Sequence, residues 1–281
     1  MSGRSALDAY SNGAAWWETS ISDIAKNRIV LRGYHIEELI GNVSYSQMLY
    51  LLLCGEILSE KKAKLLESVL VAGADHGPRA PSIAAARMAA TCGISFNSAV
   101  ATGINLLGDV HGGAAEKAMK LFYLTGAIAD ENPERTITSI VNEQLDELER
   151  KKEKLPGFGH QLHDDDPRVK RLYEIARSLV EEGEISGKYL NIAEEYGKLL
   201  AQRKKKKMTM NVDGVSAAIQ CELMIPAESA KGIFALSRGL GILAHAFEEL
   251  QNGVLIKGPC PNREDLVRYS GPPVRHLNRQ P

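Results

Sequence analysis

Residues 45–55 read YSQMLYLLLCG, and residues 60–73 read EKKAKLLESVLVAG. In each run apolar side chains recur at spacings of three and four, which places them on one face of an α-helix. Each run stops at a glycine, the residue that most readily takes the left-handed conformation closing a helix. The same grammar continues outward. PSIAAARMAATCG (81–93) is alanine-rich, with Pro81 placed as a first helical residue and Gly93 as a stop. NSAVATGINLLGDV (97–110) is rich in small residues and suits a tightly packed, buried helix. ERTITSIVNEQLDELERKKEKL (134–155) is a long amphipathic run with a charged end. DPRVKRLYEIARSLVEEG (166–183), SGKYLNIAEEYGKLLAQRKKKK (186–207), VSAAIQCELMI (215–225) and AESAKGIFALSRGLGILAHAFEELQNG (227–253) complete the series. Period-two alternation is nearly absent. Only NRIVLRGYHI (27–36) reads as a strand or hairpin, with Arg32-Gly33 at its turn. The expected fold class is all-α.

The 281 residues allow one large domain or two moderate ones, and a 44% hydrophobic content supplies an ordinary globular core. A formal net charge of −1 removes any global electrostatic case for nucleic acid or a membrane surface. No apolar run reaches bilayer length, and the first seventeen residues show no apolar signal segment. Cys54, Cys92, Cys221 and Cys260 are far apart and form no CxxC pair. They read as separate reduced thiols, so a cytoplasmic location is expected. No fixed-period repeat is evident, which argues against a solenoid. The middle of the chain is more charged than its flanks and is bordered by the most unusual loops. A small helical domain at 113–224 is therefore expected inside a large helical domain formed by 1–112 and 225–281, with a ligand cleft between them.

Five stretches carry chemistry-bearing residues, and each has a plainer structural reading. In ADHGPRAPS (74–82), His76 sits between a helix end and the new start at Pro81, either as part of a capping loop or as a polar group at a cleft floor. In GDVHGGAAEKAM (108–119), His111 precedes two glycines and a helix start, where free N–H groups and close backbone approach suit a ligand. An ordinary glycine turn explains it equally. In KLPGFGHQLHDDDPR (154–168), Gly157 and Gly159 make a tight loop around Phe158, from which His160 projects. The three aspartates suggest magnesium. However, Asp166-Pro167-Arg168 is a good helix start, and no second carboxylate cluster accompanies it, so no metal is expected. In MNVDGVSAAI (210–219), Asp213 is either an N-cap or a carboxylate made more basic by apolar surroundings. In FALSRGLGILAHAFEE (234–249), Arg238 lies inside an apolar helix and needs an anion, supplied by an internal ion pair or by a substrate carboxylate. RKKKKM (203–208) is a solvated helix end or a phosphate contact.

Taken in order, these motifs resemble the citrate synthase superfamily over nearly the whole chain. TSISDIAKNRIVLRGYHIEEL (19–39) is similar to the N-terminal signature, and SYSQMLYLLLCGEILS (44–59) to the helix pair that follows. ADHGP, GDVHGGA, PGFGH with DPR, NVDG and GIFALSRGLGILAH then appear in family order. The segment before ADHGP is short, and ADHGP and NVDG resemble the citryl-CoA lyase module at the C-terminal end of ATP-citrate lyase more than the synthase forms. The resemblance implies a mainly helical homodimer or higher homo-oligomer that binds a CoA thioester and a dicarboxylate or tricarboxylate as substrates, with no permanent cofactor. By resemblance, Asp213 moves a proton on the acetyl-CoA methyl. His111 hydrogen-bonds the thioester oxygen, and His160 meets the oxaloacetate carbonyl or the citryl hydroxyl. His76, Arg168 and Arg238 match the carboxylate-binding set, with Arg268 (or Arg263) the tail arginine offered to a partner subunit. Pro156, Gly157, Phe158 and Gly159 match the loop that meets the CoA adenine. Gln161-Leu162-His163 stands where basic residues are usual, which leaves Lys206 and Lys207 for the phosphates. The implied activity is cleavage of citryl-CoA, or of a close 3-hydroxy-3-carboxyacyl-CoA, to acetyl-CoA and oxaloacetate. The alternatives are condensation of acetyl-CoA or propionyl-CoA with a 2-oxoacid, or a catalytically silent scaffold subunit.

Overall fold

The computed structural model describes residues 15–159, 166–205, 208–261, 263–266, 268 and 270–273. Within them the fold is helical, as the periodicity implies. A small antiparallel meander comes first, with β1 (Ser22–Ala25), β2 (Arg28–Leu31) and β3 (Tyr34–His35) in that order. Arg32 and Gly33 take φ of 48° and 89° at the β2–β3 turn, the two positive values that a two-residue primed hairpin turn requires. Arg32 also ties the turn down, since its Nε and Nη2 donate to the Leu52 carbonyl at 3.2 and 2.8 Å. The expected hairpin is thus present. SDIA adds a third strand whose four residues are too few to show a period.

Eleven α-helices follow among the described residues: α1 (Ile36–Leu39), α2 (Tyr45–Cys54), α3 (Glu60–Gly73), α4 (Pro81–Ala90), α5 (Phe96–Ile104), α6 (Ala114–Glu131), α7 (Ile137–Lys151), α8 (Pro167–Glu181), α9 (Lys188–Lys204), α10 (Val212–Glu222) and α11 (Ala230–Gln251). The stops follow the glycines. Gly55 closes α2 with φ 90°, and Ser44 opens it with a capping box to Gln47.

Two compact units emerge. The first comprises residues up to Gly73 together with 112–234. Its centre is α10, in which every residue from Val212 to Glu222 except Asp213 is buried. A helix that is apolar all round belongs in the middle of a core, and α6, α9, α8 and α3 pack on it. Phe122 and Tyr196 fill the centre, and the Tyr196 hydroxyl shares a 2.7 Å hydrogen bond with Thr125. The second unit comprises 74–111 and 235 to the C-terminus, with a small core of Ile83, Ala86, Ala90, Ala99, Ile242 and Ala246. The later breaks between the units fall at 111/112 and at 234/235. The N-terminal segment differs from the expected division, because Leu65, Leu66 and Val69 of α3 share one buried cluster with α10. Side-chain packing, which a boundary read from charge does not see, draws them there. Helix α5 buries Ala99 and Gly103 while Asn97, Ser98 and Ala101 stay exposed, so the buried helix expected at 97–110 is packed on one face only.

Candidate active site

The candidate residues fall on both units. In the second unit, His76 is exposed in the loop between α3 and α4, as expected from Pro81 at the start of α4. His111 closes the following loop, and its carbonyl accepts the Gly108 N–H at 2.8 Å. Gly112, with φ 96°, then turns the chain into α6, so this glycine has a conformational reason. The His111 ring is half-buried, with Nε2 lying 3.0 Å from the Oγ of Ser82, a fully buried residue on α4. With the serine hydroxyl donating, Nε2 accepts and Nδ1–H is left as a donor. The sequence reading passed over Ser82, because a serine at a helix start looks like a local cap. Arg238, on α11, is 4% exposed.

Burial, and after it the Arg238 charge, lower the His111 pKa below the ordinary histidine value. The ring is therefore neutral at pH 7, with Nδ1–H as its one donor. The unfolded chain takes up the His111 proton more readily than the folded one. Its stabilising contribution is thus complete above about pH 6.5 and is lost as pH falls from there through the lowered folded value. Melting curves between about pH 5 and 8 should show an acid-side loss in the wild type that is reduced in His111→Gln. Equal pH dependence in the two proteins would contradict this assignment.

In the first unit the glycine loop is laced to the segment that carries Asp213. Phe158 and Met210 form a β-bridge, and Gly159 N–H donates to the Thr209 carbonyl at 2.8 Å. Asn211 N–H donates to the Gly157 carbonyl at 3.0 Å, and its side-chain amide to the Gly159 carbonyl at 2.9 Å. The Asn211 Oδ1 also accepts from the N–H groups of Asp213 and Gly214, so Asn211 caps α10. Asp213 is therefore not the cap. It sits half-buried in the first turn, and the N-cap role goes to Asn211.

The glycines have tight reasons here. Gly157 has φ 82°, and a Cβ there would lie 2.6 Å from the Gly214 Cα. Gly157→Ala combines left-handed strain with overpacking, for an expected loss of about 2–4 kcal/mol. A denaturant midpoint unchanged from wild type would refute it.

Phe158 and Gly159 line a cavity of about 520 Å³ with Leu155, Met208, Lys154 and Lys204. Pro156 lines a second, of about 630 Å³, with Lys117, Lys120 and Lys151. Lys204 belongs to the basic run 203–208 read as a helix end or a phosphate contact, whereas Lys154, at the start of the 154–168 stretch, has no role assigned there. His160, Lys206 and Lys207 lie outside the described residues.

Arg168 is less open than expected. Its Nε and Nη2 grip Asp166 at 2.9 and 2.7 Å, and Nη1 donates to the Ala72 carbonyl at 3.4 Å. Asp166 also caps α8 by accepting the Arg168 N–H. One aspartate of the triplet is thus structural. Among the described residues no three or more His, Cys, Asp or Glu side chains converge on a potential metal position, and no helix is long and apolar enough to cross a membrane. Arg268 is exposed, whereas Arg263 pairs with Asp265.

A sequence model of the citrate synthase C-terminal domain matches residues 57–258. A citrate synthase of Saccharolobus solfataricus is 32% identical over 188 residues, covering 66% of this chain and 48% of that protein. The chain spans about half the length of the curated relatives it matches. The solved citryl-CoA lyase of Hydrogenobacter thermophilus superposes with a TM-score of 0.81 at 36% identity, covering 93% of this chain and 97% of that one. An ATP citrate lyase of Methanothrix soehngenii, solved in complex with citrate and coenzyme A, shares the fold at a TM-score of 0.77 and 23% identity, covering 96% of this chain and 45% of that one.

Proposed function

The chain belongs to the citrate synthase family, and from that premise we propose that it cleaves citryl-CoA to acetyl-CoA and oxaloacetate. The observation that carries this reading is end-to-end likeness to a citryl-CoA lyase, at 36% identity over nearly the full length of both chains.

The chemistry assigns a task to each residue. His160 takes the citryl hydroxyl proton as the hydroxyl carbon becomes the ketone of oxaloacetate. The electron pair of the breaking C–C bond passes to the thioester, whose oxygen accepts a hydrogen bond from neutral His111. Such a donor, placed where charge develops, supplies electrostatic stabilisation without reorganisation. Protonated Asp213 then gives its proton to the methylene carbon, completing acetyl-CoA. His76, Arg168 through its Nη1 edge, Arg238 and a tail arginine, Arg268, hold the carboxylates. Pro156 to Gly159 meet the CoA adenine, and its phosphates are met by Lys206 and Lys207 together with Lys154 and Lys204, which line the Phe158 cavity. The substrate is the CoA thioester itself, and no step calls on a resident cofactor.

The same residues can run in the other direction, and curated relatives named citrate synthase favour that second reading. Parallel assays separate the two: oxaloacetate released from citryl-CoA, followed with a malate dehydrogenase couple, and thiol released from acetyl-CoA or propionyl-CoA with oxaloacetate. The lyase reading expects the higher kcat/KM with citryl-CoA, and a higher value for condensation would replace it.

We also propose that the chain self-associates, as homodimer or larger. Leu236, Leu240, Leu243, Phe247 and Leu250 form an exposed apolar stripe along α11, at alternating spacings of four and three. Light scattering that reports a monomer at micromolar concentration would remove this part. A cytoplasmic setting is proposed with it, and fractionation of the native cell tests that.

A further inference from the structure

Two proposed carboxylate ligands, His76 and Arg238, belong to one unit but to different elements, the 74–80 loop and helix α11. The loop is fastened to this helix at two points about one turn apart. At the first, Gly241 N–H donates to the Ala74 carbonyl at 3.1 Å. A Cβ at Gly241 would lie 2.4 Å from that oxygen and 2.9 Å from Asp75 Oδ1, so only glycine admits this approach. At the second, His245 Nε2 lies 3.3 Å from Asp75 Oδ1 and 3.4 Å from Oδ2. Asp75 Oδ2 in turn accepts the Gly77 N–H at 3.2 Å. The two loop residues fastened to the helix, Ala74 and Asp75, immediately precede His76, and the Asp75–Gly77 hydrogen bond spans it.

The other side of the His245 ring fixes its tautomer. Arg87 Nη1 lies 3.0 Å from His245 Nδ1. A guanidinium only donates, so Nδ1 accepts and the neutral ring carries its proton on Nε2, facing Asp75. Arg87 is itself clamped, with Nε donating to Glu249 at 2.6 Å and Nη1 to Glu248 at 2.6 Å. The Glu249 side chain is 0% exposed, and Lys257 completes its pairing at 3.0 Å. Arg87 therefore donates to the two carboxylates and to His245, and His245 in turn donates to Asp75. Arg238, Ile242, His245 and Glu249 share one face of α11 at helical spacing.

We propose that His245 is a positioning residue: it holds Asp75 and so presents His76 to the dicarboxylate from the same helix that carries Arg238. The proposal rests on the assignment of His76 to the substrate. No substrate contact is ascribed to His245 itself.

His245→Ala and His245→Gln test it. A glutamine can replace both functions of the ring, accepting from Arg87 through its oxygen and donating to Asp75 through its amide. His245→Ala should raise amide exchange across residues 74–78 by about tenfold or more. It should also raise the KM for oxaloacetate in the condensation direction about tenfold, with the KM for acetyl-CoA within about twofold of wild type. His245→Gln should restore both. Asp75→Ala added to His245→Ala should bring no further loss, since the two act as one unit. Unchanged exchange and KM in His245→Ala, a fall in kcat alone, or a glutamine variant that behaves like the alanine one would each overturn the proposal. If the functional reading is the part in error, the wild type turns over neither substrate pair, and the exchange measurement still decides whether His245 holds the loop.

Discussion

Asp213→Ala is expected to lower citryl-CoA turnover by about 10²–10⁴-fold, the range for losing a positioned acid–base group. The fold should survive it. Asn211, not Asp213, accepts the first N–H groups of α10, so the cap stays in place when the aspartate is removed. The favourable meeting of a carboxylate with a helix N-terminus, about 0.3–1 kcal/mol, is given up. Melting temperature should therefore move by no more than about 4 °C. An inactive but stably folded variant supports the assignment. Activity that survives the change removes Asp213 from the mechanism. A wild type inactive on every acyl-CoA offered would favour the scaffold reading instead.

Glu222, at the other end of the same helix, should show the opposite behaviour. Its carboxylate is buried and accepts from Ser186 Oγ at 2.7 Å and from the N–H groups of Gly187, Tyr189 and Leu190 at 3.0, 2.6 and 3.2 Å. These donors surround the start of α9, where Gly187 offers no side chain to cap the helix. A carboxylate at the C-terminus of its own helix is poorly placed for the dipole of α10. It is well placed for the N-terminus of α9. Glu222→Ala leaves buried donors without an acceptor, and the expected loss is about 3–5 kcal/mol. For a unit of this size that is a fall of roughly 10 °C in melting temperature, read by calorimetry. Glu222→Gln should recover only part of it, because its amide –NH₂ faces donors and cannot accept. A shift under about 2 °C in Glu222→Ala would show that water replaces the carboxylate and that α9 starts without it.

These two residues also mark where the sequence was readable. The helices were, because period, proline starts and glycine stops all agree along 45–73 and 166–183. Family membership was, because the motifs stand in order. The role of a polar group whose partner is remote was not. Glu222 in CELMI looks like one exposed position on an apolar helix, since the donors it serves lie more than thirty residues earlier. His245 reads as a helix histidine until Asp75, 170 residues away, is found against it. In NVD, two Asx residues compete for the cap, and the choice of Asn211 depends on where the backbone turns helical. Ser82 became legible only once His111 was placed against it. In the stretch KLPGFGHQLHDDDPR, the aspartates drew attention first. The structure gives Asp166 to the cap of α8 and the glycines to the segment leading into Asp213.

The most direct test of the central claim is cleavage of citryl-CoA in D₂O, with mass spectrometry of the acetyl-CoA formed in the first turnovers. Protonation of the enol through Asp213 predicts a single deuterium in the acetyl methyl, with oxaloacetate appearing in equal amount. Acetyl-CoA without deuterium, or no acetyl-CoA and oxaloacetate at all, would contradict the account.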